Sequence, residues 1–419
     1  MSKEITLPHL IRSNLSDVSY KDVLSFLRIE EPEGVHLDYK SEINPKSLKK
    51  HFASFSNKEG GIIIIGVDEK KGIAKSRGIE ITNKDLEQIS QIASNVDPLP
   101  IYESRKIVGE DKKGFIIIKI SAGAYTPYVV INDPKIYIRT GDISKDFLEF
   151  ANPEELKILF KKRNDILQRR ENIEHLVQET FQAHLKAGEE ERLQKIANGT
   201  TSLKNKLGDN CRFVESLIIP SFAVDKKVCS ETFLKEFLNS ERVYFGYGGK
   251  LPSDGMSFLS VPTGMTSFQW NTMSGAIENL QVYLDASVYY VYDILEAQEE
   301  NEDFIYLSRI WYHLVLSLRF AKNYYSKIGY NGPLYWKARI SNVRGINIRW
   351  ETMALESIKK ALLDTYIYEK ETNTIELGLS DSGDDLEFDL FRNLLWYFGY
   401  DFSNMKDVYN NFLKNNNIS

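Results

Sequence analysis

Four consecutive isoleucines, Ile62-Ile63-Ile64-Ile65, follow the pair Gly60-Gly61 and constrain this chain more than any other feature. A β-branched run without alternation predicts a strand covered on both faces, because neither face offers a polar side chain to water. The glycine pair supplies the turn, since glycine takes positive φ where a Cβ would clash. At the far end, Gly66 permits close backbone approach, and Val67-Asp68-Glu69 delivers two carboxylates at the strand's exit. A buried strand needs neighbours. Upstream, Val35, Leu37 and Tyr39 alternate with His36, Asp38 and Lys40, so a second strand would carry those three polar groups on one face, where chemistry could sit. The span between, roughly Pro45 to Phe55, predicts a helix with Leu48, Phe52 and Phe55 at helical spacing and Lys46, Lys49, Lys50 and His51 as polar flank residues.

With 419 residues, 42% of them hydrophobic and 27% charged, the chain has room for two or three soluble globular domains. Its two cysteines, Cys211 and Cys229, lack metal-ligand spacing and fit a reducing cytosol, which makes a cytoplasmic location the expectation. The segment Met1–Pro8 has no charged-then-apolar signal pattern, and no apolar run reaches bilayer-spanning length, so no membrane partner is expected. The net charge of −6 is unevenly spread: residues 1–170 hold 28 Lys and Arg against 25 Asp and Glu, and the remainder holds 25 against 34. Such mild basicity permits a phosphate-binding groove and falls short of what a non-specific nucleic-acid binder carries. No Gly-x-x-x-x-Gly-Lys-Ser or Thr pattern occurs, and Gly60-Gly61 enters a strand instead of opening a helix, which argues against a P-loop.

Three regions emerge: 1–150, a connecting helix over 151–199, and 200–419. Asn152-Pro153-Glu154-Glu155 has the character of a helix start, with Asn as N-cap, Pro in the first turn and acids near the positive dipole end; Gly199 ends the helix. Its Lys161, Lys162, Arg163, Arg169 and Arg170 form a solvated face by default, with an RNA-facing role as the alternative. Beyond it, Val214 to Phe222 predicts a strand, Met273 to Glu299 and Phe304 to Ser326 two long tyrosine-rich helices, and Ala338 to Trp350 one or two strands.

The stretch from Glu33 onward resembles the Schlafen AlbA-type (AlbA_2) domain. Glu33 stands for that family's first acid and Asp38-Tyr39-Lys40 for its Glu-Phe-Lys. Ala53 to Gly61 resembles the helix end Ala-Phe-Ala-Asn-Thr-x-Gly-Gly with one inserted residue or a shifted alanine, and Ile65-Gly66-Val67-Asp68-Glu69 the strand end Ile-Gly-Val-Asp-Asp. Tyr125-Thr126-Pro127-Tyr128 and Tyr137-Ile138-Arg139-Thr140-Gly141 resemble the later proline segment and the closing Tyr-x-Arg-x-Gly. The match covers about the first third of the chain. It implies an α+β fold: an N-terminal mixed sheet with helices, then the long helix and a mostly helical C-terminal domain.

The resemblance further implies a metal-dependent endoribonuclease acting on structured RNA, transfer RNA being the expected target, in defence or stress response. The family's three acids fall on Glu33, Asp38 and Glu69, with Asp68 replacing Glu69 as ligand if the register shifts by one. Magnesium or manganese would be the cofactor, as hard cations that prefer carboxylate and water. Lys40 would stabilise a phosphate oxyanion, and His36 is either a proton donor or an exposed strand histidine. Lys40, Lys46, Lys49, Lys50 and Arg139 are the candidate nucleic-acid contacts. Asp for Glu at 38 and Glu for Asp at 69 depart from the family pattern and put the metal geometry in question. Against all this, Asp38 beside Lys40 reads equally as an ordinary surface ion pair. The motif occurs once where the family's nuclease core has two lobes, so a homodimer is the expected assembly. The rival readings are a non-catalytic nucleic-acid-binding transcriptional regulator and a nucleotide (ATP)-binding sensor module.

Overall fold

The isoleucine run is a strand with no exposed residue: Ile62, Ile63, Ile64 and Ile65 are each 0% exposed. The structure is a computed structural model describing residues 6–12, 15–70, 73–82, 84–109, 113–141, 147–201, 203, 206–208, 211–224, 228–245, 249–271, 276–294, 304–350, 357–373, 386–400 and 404–415. Two compact units divide the chain, Met1–Arg169 and Arg170–Ser419.

The first unit runs α1 (Leu7–Arg12), α2 (Tyr20–Leu27), β1 (Leu37–Lys40), α3 (Pro45–Asn57), β2 (Gly60–Ile65), β3 (Val67–Lys70), β4 (Ile73–Ser76), β5 (Ile79–Glu80) and α4 (Asp85–Ala93). It continues with β6 (Val96–Asp97), β7 (Tyr102–Val108), β8 (Lys113–Ser121), β9 (Val129–Val130), β10 (Tyr137–Arg139) and β11 (Leu148–Phe150). The division between the units falls inside α5 (Pro153–Ala197). The main sheet has the order β1-β2-β8-β5, with β7 also on β8. Only β1 and β2 pair in parallel within it, so a crossover must join them, and α3 is that crossover. Side chains alternate across β2. Ile62 and Ile64 pack with Leu37, Tyr39, Phe26 and Phe115 on one face, while Ile63 and Ile65 pack with Leu48, Phe52, Phe55 and Ile89 on the other.

Local chemistry fixes both ends of α3. The Asn44 side chain accepts from the Lys46 and Ser47 amides at 3.1 and 3.2 Å, and Pro45 opens the helix where its missing N–H costs nothing. At the exit, Gly60 has φ +76°, and a Cβ on Gly61 would lie 2.3 Å from the Phe55 ring and 2.7 Å from the His36 carbonyl. The glycine pair therefore serves close packing between helix end and sheet, and the chain itself fills the space beside it. Asn57, the last helical residue, is 2% exposed; it donates to the Tyr128 and Tyr137 carbonyls at 2.9 and 2.8 Å and accepts from the Tyr128 amide at 2.6 Å. This side chain ties α3 to the strands that follow β8. Asn57→Ala strands three buried backbone groups at once and should destabilise the protein by about 2 kcal/mol in chemical denaturation. An unchanged midpoint would mean that water takes over those groups.

The second unit is built around a seven-stranded antiparallel sheet with spatial order Leu259–Val261, Gly264–Trp270, Ile277–Tyr283, Val288–Asp293, Phe213–Pro220, Pro333–Ser341 and Thr365–Asn373. Helices Glu231–Ser240, Leu307–Ile328, Leu386–Tyr397 and Met405–Asn415 accompany it. The chain is α+β, as expected, though strand carries more of this unit than a mostly helical domain would. The difference arises largely within the helix expected from Met273 to Glu299, whose ends lie outside the described residues and whose described part, 276–294, contains the hairpin Ile277–Tyr283 and Val288–Asp293. Val282-Tyr283 and Val288-Tyr289-Tyr290-Val291-Tyr292 are β-branched and aromatic, suit a pleated sheet, and lie beside covered neighbours on both faces. The helix expected over Phe304 to Ser326 is present from Leu307 and ends on Gly329 at φ +66°, a left-handed cap. Tyr289, Tyr290, Tyr324 and Tyr325 are buried in the cores of this unit. Among the described residues, no helix is long and apolar enough to cross a membrane.

Candidate functional site

Alternation in β1 places Asp38 and Lys40 on one face, which is covered at its centre by α3 and β10, while His36 precedes the strand. Asp38 is only 3% exposed. Arg139, from β10, donates through Nη1 to Asp38 Oδ1 at 3.2 Å and to His51 Nδ1 at 3.2 Å. Its Nε donates to the Gly34 carbonyl at 3.1 Å, and Nη2 donates to the Leu37 carbonyl at 3.0 Å and again to Gly34. The flat guanidinium lies over the Phe55 ring, 4.4 Å from its centroid. Lys40 pairs its ammonium with Asp38 Oδ2 and donates to the Tyr39 carbonyl at 3.0 Å. His51 approaches the same carboxylate oxygen at 3.7 Å and has Ser47 Oγ at 3.1 Å. One carboxylate is thus enclosed by two cations and an imidazole.

Burial alone would raise the Asp38 pKa, but His51, Lys40 and Arg139 outweigh it and hold the carboxyl below its ordinary value. Burial pulls the His51 pKa down to about 4, against the opposing pull of Asp38, so the ring is neutral near pH 7. Because an Arg139 N–H points at Nδ1, the hydrogen-bond network assigns the His51 proton to Nε2, on the side of Asp38 and Ser47.

Glu33 sits on the loop before β1, where its Oε1 accepts from the Tyr39 amide at 2.7 Å. Its pKa is raised, first by burial and then by the Asp38 carboxylate, with a smaller push from Glu69. Asp68, the neighbour of Glu69 on β3, points to the other side of the strand and lies 3.6 Å from Arg77. These acids do not fit a magnesium or manganese ion as they stand. Arg139 and Lys40 occupy the Asp38 oxygens, an amide occupies one Glu33 oxygen, and both cations would repel a third. Among the described residues, no group of three or more His, Cys, Asp and Glu side chains is arranged to hold a metal ion.

A cavity of about 750 Å³ opens beside this cluster, with Glu31, Glu33, His36, Lys58, Glu59 and Glu155 among its lining residues. His36 Nδ1 donates to the Gly60 carbonyl at 3.0 Å, which leaves Nε2 3.5 Å from Glu59, while Lys58 lies 3.9 Å from Glu155. His36 thereby braces the glycine turn. Outside the cavity, Lys46 is exposed and Lys49 and Lys50 are half-buried on α3, with Lys50 Nζ 5.1 Å from the Tyr137 ring centroid. On α5, Lys161 and Arg163 are exposed, whereas Lys162 donates to the Lys58 carbonyl at 3.1 Å and burial lowers its pKa to about 8.

Of the side chains expected to meet nucleic acid, then, Lys46, Lys49 and Lys50 reach the surface and Arg139 does not, being 1% exposed with its N–H groups directed at protein acceptors. Lys40 is held against Asp38. His51, expected on the polar flank, is 5% exposed. Its position was readable: residues 48, 51, 52 and 55 follow the i, i+3, i+4, i+7 spacing of a buried helix stripe. Asn57 gave no comparable signal, because its three partners lie 71 and 80 residues further along.

Residues 33–148 match the family model described as Schlafen, AlbA_2. The matched segment contains Glu33, Asp38, Lys40, His51, Asn57, Glu69 and Arg139. No curated protein matches the chain.

Proposed function

We propose that the Schlafen AlbA_2 domain of residues 33–148 binds RNA through the lysine-bearing side of α3, and that the Asp38 cluster maintains the shape of the domain. The observation that carries this reading is the division of the first turns of α3 into two sides, its later part from His51 to Asn57 being buried all round. Leu48, His51, Phe52 and Phe55 anchor one side, while Lys46, Lys49 and Lys50 present ammonium groups at the other. A helix held rigidly from behind offers its charges to a phosphate backbone without the entropy cost of ordering a loop.

The test is a titration of labelled hairpin RNA with the full chain at several salt concentrations. Replacing Lys46, Lys49 and Lys50 together with alanine should weaken binding roughly tenfold and lower the slope of log K against log salt by up to about three, since each phosphate contact contributes near one. A triple variant that binds with unchanged affinity and slope would move the RNA off this face.

A second reading, a metal-dependent endoribonuclease acting on transfer RNA, has one geometric feature in its favour: Glu33 lines the open cavity together with Glu31, Glu59 and Glu155. Incubation of total RNA with manganese, with and without chelator, separates the two. RNA binding without chelator-sensitive cleavage is the expected result. Cleavage abolished in Glu33→Gln with binding retained would replace it with the nuclease.

A further inference from the structure

Phe150 lies just beyond the matched segment, on the short strand β11, and its large apolar side chain is 53% exposed. A single exposed phenylalanine is unremarkable by itself. Its surroundings are distinctive. In register with Tyr137 on β10, its ring sits 5.4 Å from the Tyr137 ring at an interplanar angle of 59°. Lys135 places Nζ 4.2 Å from the Phe150 centroid, and Lys50 places Nζ 5.1 Å from the Tyr137 centroid. Two adjoining rings are thus each accompanied by an ammonium. Lys46, one helical turn before Lys50, extends the line of charge along α3. Asp133 accepts the Tyr137 hydroxyl at 2.8 Å and so steadies the inner ring; that hydrogen bond lowers its pKa, and the charges of Lys50 and Lys135, which lie near it, help to do so.

We infer that Phe150 is a stacking platform for an unpaired base, with Lys135, Lys50 and Lys46 placed to meet the flanking phosphates, so that single-stranded RNA is the preferred partner of this surface. The inference rests on the RNA-binding reading above and adds to it the form of the RNA. Every base has a π-face, so an exposed ring gains from stacking whatever the sequence; Lys135 lies over one face of Phe150, so the base is received on the opposite face while the lysines supply the backbone attraction. In a duplex the bases are already stacked on one another, and the ring has nothing to receive. The prediction is accordingly a difference between single and double strands, which charge alone does not produce.

The experiment measures anisotropy of a short labelled RNA, alone or annealed to its complement, against the full chain and its Phe150→Ala, Phe150→Leu and Phe150→Trp variants. Thermal melts of each variant check the fold. The wild type should prefer the single strand. Phe150→Ala and Phe150→Leu should each weaken single-strand binding roughly tenfold, as expected for one lost base stack, and leave duplex binding nearly unchanged. Phe150→Trp should retain the preference. An abasic strand should bind the wild type no better than the intact strand binds Phe150→Ala. If Phe150→Leu binds the single strand as the wild type does, or both RNA forms lose equally, the platform is refuted while RNA binding stands. If no RNA binds, the RNA-binding reading itself falls, and the platform with it.

Discussion

Arg139→Ala should destabilise the protein by about 3–5 kcal/mol, the cost of leaving a buried charge without its partner. The residue is 1% exposed, and its removal acts on several groups together. The Asp38 carboxylate loses a hydrogen-bonded cation at Oδ1, the Gly34 and Leu37 carbonyls lose their guanidinium donors, and the Phe55 ring loses the flat group that covers it. Lys40 still faces Asp38, but from the other oxygen, and cannot bridge to the loop. Arg139→Lys should recover only part of the loss, because an ammonium is a point charge and the site uses a planar fork with separated donors. A double replacement, Asp38→Leu with Arg139→Met, should be less harmful than Arg139→Ala alone, since it removes the charge together with its partner. Chemical denaturation of the full chain gives the comparison. A loss below about 1 kcal/mol for Arg139→Ala would mean that water reaches Asp38 and that the cluster behaves as a surface pair.

This ion cluster also explains which parts of the domain could be read from the chain and which could not. Signals that are local in sequence survived folding intact. The isoleucine run is buried on both faces, Asn44-Pro45 starts α3, Gly60-Gly61 turns the chain, and Asn152-Pro153 opens α5. The alternation within β1 was also legible for Asp38 and Lys40, whereas His36 falls just before the strand. What alternation cannot say is whether a polar face meets water or protein. That depends on Arg139, 101 residues after Asp38, and on the way β10 lies against α3. The same dependence misled the reading of Met273 to Glu299. Its apolar residues satisfy either period, and partners on both sides of the sheet decide for strand.

The substitution of a shorter acid at residue 38 acquires a physical sense in this arrangement. Aspartate keeps its carboxylate close to β1, within reach of Lys40 on the same strand and of Arg139 on β10. Both Asp38 oxygens are thereby directed inward, toward fixed cations, instead of outward toward the cavity that Glu33 lines. Binding at the surface of the first turns of α3 does not require Asp38 to open, which is why the lysines there and the ion cluster can coexist on one helix.

Stability should fall as the pH drops from 6.5 toward 4, and His51 should contribute to the loss alongside His313 and His184, whose pKa values burial also lowers. Burial holds its pKa at about 4 against an ordinary value of 6.5, so within that window the unfolded chain binds a proton that the folded one refuses. Stability therefore decreases with falling pH there, and is present in full above pH 6.5. A shift of this size corresponds to about 3 kcal/mol between the two ends of the window. The groups around the ring explain why it resists protonation: Asp38 favours the charged form, but Lys40, Arg139 and Lys50 oppose it together with burial. Asp38 acts lower on the scale. Its depressed pKa contributes stability above 3.8 that disappears only as the pH falls through the folded value. Glu33 has the opposite sign, since its raised pKa makes the ionised form costly in the fold and acidification relieves that cost above 4.5. Denaturation profiles of the wild type, His51→Gln and Glu33→Gln separate the contributions. His51→Gln should flatten the fall between pH 6.5 and 4, and Glu33→Gln should steepen it. A His51→Gln profile parallel to the wild type would show that the imidazole titrates alike in both states, and would detach it from the buried cluster.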